Sequence, residues 1–355
     1  MKRPFFSIVV PTYNRATELK FALYSLLRQT FSDFEVVVSD NCSSDNTKEI
    51  VKSFRDKRIR YFKSRKNVSF LLNVKKSVQY AKGMFIFLHG DDDFIFDNTS
   101  LNEIFQKIKK NNPGYVRVNY LCLTPDKKFL FDFNVGKSLK KDKLIKPDLN
   151  NEEIISFIFD TDASFMSGVI FRNELTRSVN IINSGLLPWI DILFSNIKNY
   201  GGYFISKPHV IASWSQWVMR NNEPHHLYSL EDGKLAYESY FSFIEKKLSP
   251  ESYRKFLNKR VMISFVSVLP AIKVYIGNKK MIELIKRLRI IDSQLNKSIT
   301  FWIYFIFAYV LPRKILELLK NVYFQWYIKS SRVEDRKILN GIKNLKQEYL
   351  PKIEK

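Results

Sequence analysis

Ser7-Ile8-Val9-Val10-Pro11-Thr12-Tyr13-Asn14-Arg15 sets an apolar, β-branched run directly against a polar cluster that begins at a proline. A short run bounded in this way reads as a buried strand ending at Pro11. The pattern recurs along the chain. Phe34–Val38 is a second such run, opening into Asp40-Asn41-Cys42-Ser43-Ser44-Asp45; Ile59–Phe62 is a third; Met84–Leu88 is a fourth, opening into Gly90-Asp91-Asp92-Asp93. Between them Ala16–Gln29, with Leu19, Leu23, Leu26 and Leu27 at helical spacing, Asp45–Phe54 and Leu71–Ala81 read as helices. Strands and helices alternating at this spacing predict βαβ units, and hence an α/β fold with a mostly parallel sheet covered on both faces. Ligands of such sheets bind beyond the carboxyl ends of the strands. Three polar clusters therefore converge on one rim.

The Asp91-Asp92-Asp93 triplet is the chemically loaded part of that rim. Three adjacent carboxylates repel one another, and a divalent cation relieves the repulsion. Oxygen ligands at a strand end favour Mg²⁺ or Mn²⁺, which keep open positions for phosphate oxygens. The competing account is a solvated acidic turn; the two neighbouring polar clusters weigh against it.

These segments, with Ser25-Leu26-Leu27-Arg28-Gln29-Thr30, Glu35 through Thr47, and Gly83 through the acidic triplet, resemble the opening of family 2 glycosyltransferases over roughly the first 100 residues. A weaker likeness continues to about residue 215. The resemblance implies a GT-A, Rossmann-like fold, a nucleotide-sugar donor with a UDP-sugar preferred, and Mn²⁺ or Mg²⁺. Carried over by position, Pro11 and Tyr13 would flank the nucleobase and Asp40 would hydrogen-bond it. Asp91 or Asp92 would serve the ribose, and Asp93 would bind the metal. Two departures stand out: Ser69 in Asn67-Val68-Ser69 replaces a common Gly, and Gly90-Asp91 replaces an acidic-then-small pair. Asp45 is better explained as a helix cap.

Inverting transfer to a hydroxyl also needs a carboxylate base. Asp191, in Leu187-Pro188-Trp189-Ile190-Asp191 at the start of an amphipathic helix and ahead of Gly201-Gly202, is similar to the family's downstream acidic motif. Its rival role is a first-turn Asp favoured by the helix dipole. Ser164–Gly168 resembles an acceptor-side segment without an assigned residue, and His225-His226 is set aside as a solvated pair. Gln216-Trp217-Val218-Met219-Arg220 has the wrong spacing for the Gln-x-x-Arg-Trp signature of processive synthases, which favours single-sugar transfer.

With 355 residues, 45% hydrophobic and 15% aromatic, the chain can bury more than one core and is not a disordered one. Strands are expected near Val116–Leu123, Phe129–Phe133 and Phe165–Phe171. A helix over Trp189–Tyr200 precedes a strand pair near Tyr203–Ser206 and Val210–Trp214. Beyond Tyr228 nearly everything reads as helix, so the chain divides into residues 1–226, catalytic, and 227–355, helical and basic. Two cysteines in unlike contexts offer no disulfide framework or zinc ribbon, and the N-terminus carries no secretory pattern, which fits a cytoplasmic setting.

Of the net charge of +23, +15 falls in residues 241–355, where 24 Lys and Arg face nine Asp and Glu. A basic block beside apolar segments points to an anionic membrane surface rather than to nucleic acid. Ile299–Leu311 is apolar and aromatic but, at ~20 Å as a helix, falls short of a ~30 Å hydrocarbon core. With residues 313–330 it reads either as an interfacial helix on the inner face of the cell membrane or as a packed or homo-oligomeric contact. The expected activity is metal-dependent, inverting transfer of one sugar to a saccharide or polyprenyl-linked acceptor in bacterial surface-polysaccharide synthesis. The alternatives are a non-catalytic membrane- or partner-binding module and a nucleotidyltransferase, whose Gly-rich phosphate loop is missing at Pro11–Arg15.

Overall fold

The first four strands, β1 (Phe6–Thr12), β2 (Phe34–Asp40), β3 (Ile59–Lys63) and β4 (Phe85–Leu88), pair in parallel in the order β3-β2-β1-β4. Every residue of β1, β2 and β4 is buried, as expected of strands with helices on both faces. The computed structural model describes residues 3–123, 130–131, 139–163, 165–177, 189–213, 230–231, 234–235, 237–333 and 335–349. Helices α1 (Ala16–Leu27), α2 (Thr47–Ser53) and α3 (Phe70–Tyr80) connect the strands. Ser69 is the N-cap of α3, its Oγ accepting from the Leu72 amide at 3.4 Å, with φ −59°. The departure from glycine thus supplies a cap at a position that needs no left-handed backbone.

Beyond β4 the sheet reverses direction. In chain order follow β5 (Phe94–Ile95), α4 (Ser100–Asn111), β6 (Tyr115–Leu123), β7 (Leu130–Phe131), β8 (Lys143–Ile145), α5 (Asn151–Asp160), β9 (Val169–Arg172), α6 (Ile190–Tyr200) and β10 (Gly202–Ala212). β9 lies antiparallel between β4 and β6, so the sheet is parallel on one side and mixed on the other. The strand expected over Phe165–Phe171 starts only at Val169; residues before it form a turn, because Gly168 takes φ +90° and a Cβ there would meet the Val118 carbonyl at 2.8 Å. The expected strand pair after Gly201 is one strand, β10. It runs parallel to β6 throughout and absorbs Lys207-Pro208 as a register shift between Ile205 and Val210.

The chain divides into two compact units: Met1–Ile182 with Pro188–Gln216 and Arg332–Lys355, and Asn183–Leu187 with Trp217–Ser331. The expected boundary near residue 226 lies outside the described residues, as do Gln216–Arg220 and His225-His226. The second unit holds a short pair, β11 (Leu230–Glu231) and β12 (Lys234–Leu235), then helices α7 (Glu238–Glu245), α8 (Pro250–Val261), α9 (Leu269–Ile291), α10 (Ile299–Val310) and α11 (Arg313–Ser330). The last segment rejoins the sheet unit: β13 (Arg332–Val333) pairs with β7, and α12 (Arg336–Tyr349) inserts Ile338, Ile342 and Leu345 among Phe94, Phe96, Leu121, Leu123 and Ile211. Gly341 permits this approach, since a Cβ there would lie 3.1 Å from the Phe96 ring.

Candidate active site

The register that pairs Thr12 with Asp40 and Val9 with Leu88 brings the ends of β1, β2 and β4 to one edge. Side chains then lock the three polar clusters together. Asn14, at φ +51°, donates its amide to Ser43 Oγ at 2.9 Å and accepts from the Ser44 amide at 2.8 Å. Asn41 donates to Asn67 Oδ1 and the Val68 carbonyl, both at 2.7 Å, tying in the loop after β3. Asp45 accepts from the Ala16 amide at 3.0 Å and from the Thr47 hydroxyl at 2.5 Å, so it serves the starts of both α1 and α2. Burial pushes its carboxyl up, but the Thr47 and Ala16 donors outweigh that and hold it below the usual range.

Tyr13 stands on this rim 44% exposed, available for stacking, while Pro11 at the end of the apolar run is buried. Asp40 is fully buried; one oxygen accepts the Ser43 amide at 2.7 Å and the other the Tyr61 hydroxyl. A contact from Asp40 to a base would use the lone pairs these donors leave.

The acidic triplet forms a turn whose members have different partners. Arg15 Nη1 bridges Asp91 at 3.2 Å and Asp92 at 2.7 Å. Asp93 accepts the Ser167 hydroxyl on Oδ2 and the Ser213 amide at 3.0 Å on Oδ1. Ser167 Oγ also accepts the Gly90 amide at 2.7 Å, and a Cβ on Gly90 would fall 2.7 Å from Asp93 Oδ2. Glycine before the triplet, a departure from the family pattern, is therefore what lets the turn close on its own carboxylate. Burial and the neighbouring Asp92 raise Asp91 to about 7, against the pull of Arg15. Burial and Asp92 raise Asp93 to about 8, opposed by its Ser167 and Ser213 donors. Asp92 is raised by burial, with Arg15 opposing.

A turn that holds carboxylates this reluctant to ionise suits a divalent cation, whose charge would offset the burial that raises them. Among the described residues no three His, Cys, Asp or Glu side chains converge as a ready cage. Mg²⁺ and Mn²⁺ at nucleotide sites need only one or two carboxylates, the rest of the shell being phosphate and water. The donor set fits that requirement.

Asp191 lies in the first turn of α6, partly buried. Trp189 fixes the start of that helix by donating Nε1 to the Ala163 carbonyl at 2.7 Å. The loop between α5 and β9 thus braces both the Asp191 helix, through Ala163, and Asp93, through Ser167. Arg117, fully buried on β6, pins the same loop at two points: Nε to the Thr161 carbonyl at 3.0 Å and Nη1 to the Ser167 carbonyl at 2.7 Å. Its guanidinium stacks 5.0 Å from the Tyr120 ring centre.

Arg15, Ser167, Ser213 and Arg117 carry no role in the sequence reading. Arg15 belongs to the polar cluster after β1, and Ser167-Gly168 before β9 is the other local signal. Their partners lie 76 and 77 residues away for Arg15 and 74 for Ser167, separations no local pattern reports.

Residues 7–138 match the family described as glycosyl transferase family 2. Over 146 residues the chain is 36% identical to the GalNAc(5)-diNAcBac-PP-undecaprenol beta-1,3-glucosyltransferase of Campylobacter jejuni, covering 40% of this chain and 46% of that one. Over 141 residues it is 29% identical to the UDP-Glc:alpha-D-GlcNAc-diphosphoundecaprenol beta-1,3-glucosyltransferase WfgD of Escherichia coli, covering 39% and 54%. The chain thus spans about half the length of these curated relatives. Staphylococcus aureus TarS, residues 1–349, superposes with a TM-score of 0.55 at 17% identity over 89% of this chain and 91% of that one, a likeness of fold. The architecture is accordingly the expected α/β, GT-A-type sheet with a helical C-terminal region.

Proposed function

We propose that this chain, whose residues 7–138 match glycosyl transferase family 2, transfers one sugar with inversion from a nucleotide-sugar donor to a saccharide or lipid-linked saccharide acceptor. The setting proposed is bacterial surface-polysaccharide assembly, with the protein peripheral at the inner face of the cell membrane. The observation that carries this reading is the convergence of Tyr13, Asp40 and Asp91–Asp93 on one rim, with buried Asp93 held by Ser167 and the Ser213 amide. The names of the two glucosyltransferase relatives support a diphosphoundecaprenol-linked acceptor, and that of the Escherichia coli relative a UDP-sugar donor.

In this reading Tyr13 stacks on the base, Pro11 shapes the floor under it, and Asp40 fixes the base edge. Asp91 or Asp92 takes the ribose hydroxyls. Arg15 bridges these two carboxylates and pulls them towards their ionised forms against the burial that raises them. Asp93 would hold Mn²⁺ or Mg²⁺, which when bound would supply the charge neutralisation that makes a nucleoside diphosphate a good leaving group. Asp191 removes the acceptor proton as the hydroxyl attacks the anomeric carbon from the face opposite the departing diphosphate. The carboxylate ends neutral, the nucleotide leaves with the bonding electron pair, and the new glycosidic bond is inverted.

The test is a screen of UDP-, GDP- and dTDP-sugars with Mn²⁺ against lipid-linked saccharide acceptors, with the anomeric configuration of the product read by NMR. A retained configuration would remove the single-displacement scheme. Absence of both transfer and donor hydrolysis across the screen would favour a non-catalytic module.

A further inference from the structure

The second unit presents an apolar surface that the reaction above does not use. The twelve residues of α10 contain no charge, and apart from Thr300 those facing outward are apolar or aromatic: Ile299, Ile303 and Val310 are 78%, 62% and 68% exposed, while Phe301 and Ala308 face inward. After Leu311-Pro312 the chain bends by 119° into α11. There Ile315, Leu318, Leu319, Val322, Tyr323 and Trp326 recur at three- and four-residue steps. This is the stripe an amphipathic helix normally buries, yet all six residues are exposed. Among the described side chains of α11, Leu316 is buried and Lys320 reaches Tyr275 of α9 at 3.3 Å. Lys273 of α9 is buried too, and donates to the Tyr309 and Leu311 carbonyls at 3.1 and 2.7 Å, capping the end of α10 and fixing the turn. The bent pair is thus anchored on α9 with its apolar sides outward.

Charge selects the occupant. Residues 297–331 hold Lys297, Arg313, Lys314, Lys320 and Lys329 against Glu317 alone. Two copies meeting through this face would bring like charges together. An anionic bilayer instead offers acyl chains to the aromatic and aliphatic side chains and headgroup phosphates to the lysines. Among the described residues no single helix is long and apolar enough to cross a membrane, and α10, at ~18 Å and bent by 119° from α11, is of a length to lie in the interface. We infer that the outward face of α10 and α11 is a docking surface for an anionic lipid bilayer, inserted at the headgroup boundary. The inference deepens the proposed peripheral location, and its readout is independent of sugar transfer.

The full chain would be sedimented with vesicles of phosphatidylcholine alone and with one-third phosphatidylglycerol, at low and high salt. Binding is expected only to the anionic vesicles at low salt. The Leu319→Ser/Tyr323→Ser/Trp326→Ser variant, altered only at exposed positions, should bind at least tenfold more weakly with unchanged circular dichroism. Lys314→Gln/Lys329→Gln should weaken binding about fivefold per charge and flatten the salt dependence. Brominated lipid should quench tryptophan emission in the wild type, and less in the Trp326 variant. Failure to sediment with anionic vesicles at low salt, or equal binding by the triple variant, would overturn the inference. So would a stable dimer that the triple variant converts to monomer without any vesicle binding.

Discussion

Removing the Ser167 hydroxyl is the sharpest perturbation of the site, because that one oxygen both donates to Asp93 and accepts from the Gly90 amide with no solvent access. Ser167→Ala leaves a buried N–H and a buried carboxylate oxygen each one partner short. Each bond contributes about 1 kcal/mol while Asp93 is neutral, and the one to Asp93 about 1.5–3 kcal/mol once it is ionised, so the expected loss is roughly 2–4 kcal/mol. Asp93 also loses a group that favours its ionised form, so its already raised pKa moves further up and cation binding weakens. The assay pairs thermal unfolding with transfer measured across a Mn²⁺ titration. The expected result is a clear fall in Tm, a ~10²-fold fall in activity at low Mn²⁺, and partial recovery at high Mn²⁺, since added cation favours the ionised carboxylate by mass action. A variant with wild-type Tm and an unshifted Mn²⁺ curve would refute the reasoning that Ser167 holds Asp93 ready.

Asp191→Asn keeps size and hydrogen bonding but not basicity, so kcat should fall ~10²-fold or more with donor affinity nearly unchanged; normal turnover would move the base elsewhere. Leu345→Ala empties a fully buried position between α12 and the strand pair beside Asp93, and should cost about 2–4 kcal/mol in chemical denaturation; a loss under 0.5 kcal/mol would mean α12 is not part of that core. His209 is fully buried and held neutral, its pKa lowered by burial to about 4, with Nδ1 3.0 Å from Ser100 Oγ. Because the unfolded chain takes up this proton first, stability should decline as pH falls from about 6.5 towards 4, by up to roughly 3 kcal/mol. In His209→Gln that part of the acid sensitivity should disappear, and an unchanged pH profile would count against it.

Much of the first half was legible because its signals are local. Ile8–Val10, Val36–Val38 and Phe85–Leu88 are unbroken apolar runs ahead of polar turns, and buried parallel strands produce that pattern. The reversal at β9 was not legible, since an apolar strand carries no mark of its direction. Nor was the return of the last helix to the sheet unit. Ile338, Ile342 and Leu345 form an ordinary amphipathic stripe inside a basic segment, and nothing local says which core it will enter. The site divides in the same way. Its acidic triplet and Tyr13 belong to motifs read in sequence, whereas Arg15, Ser167 and Arg117 acquire their roles only through contacts that folding creates. The return of Arg332–Lys355 to the sheet unit also means that a truncation at Ser298 would remove part of that unit, so substitutions are the cleaner probe of the second unit's surface.

The most direct test of the central claim is sugar transfer by the wild-type chain and by Asp93→Asn, each assayed with a nucleotide-sugar donor in Mn²⁺ and in excess chelator. The account predicts turnover for the wild type in Mn²⁺ alone. It predicts none for Asp93→Asn in either condition, with a circular dichroism spectrum close to wild type. Wild-type turnover persisting in chelator, or full activity in Asp93→Asn, would contradict it.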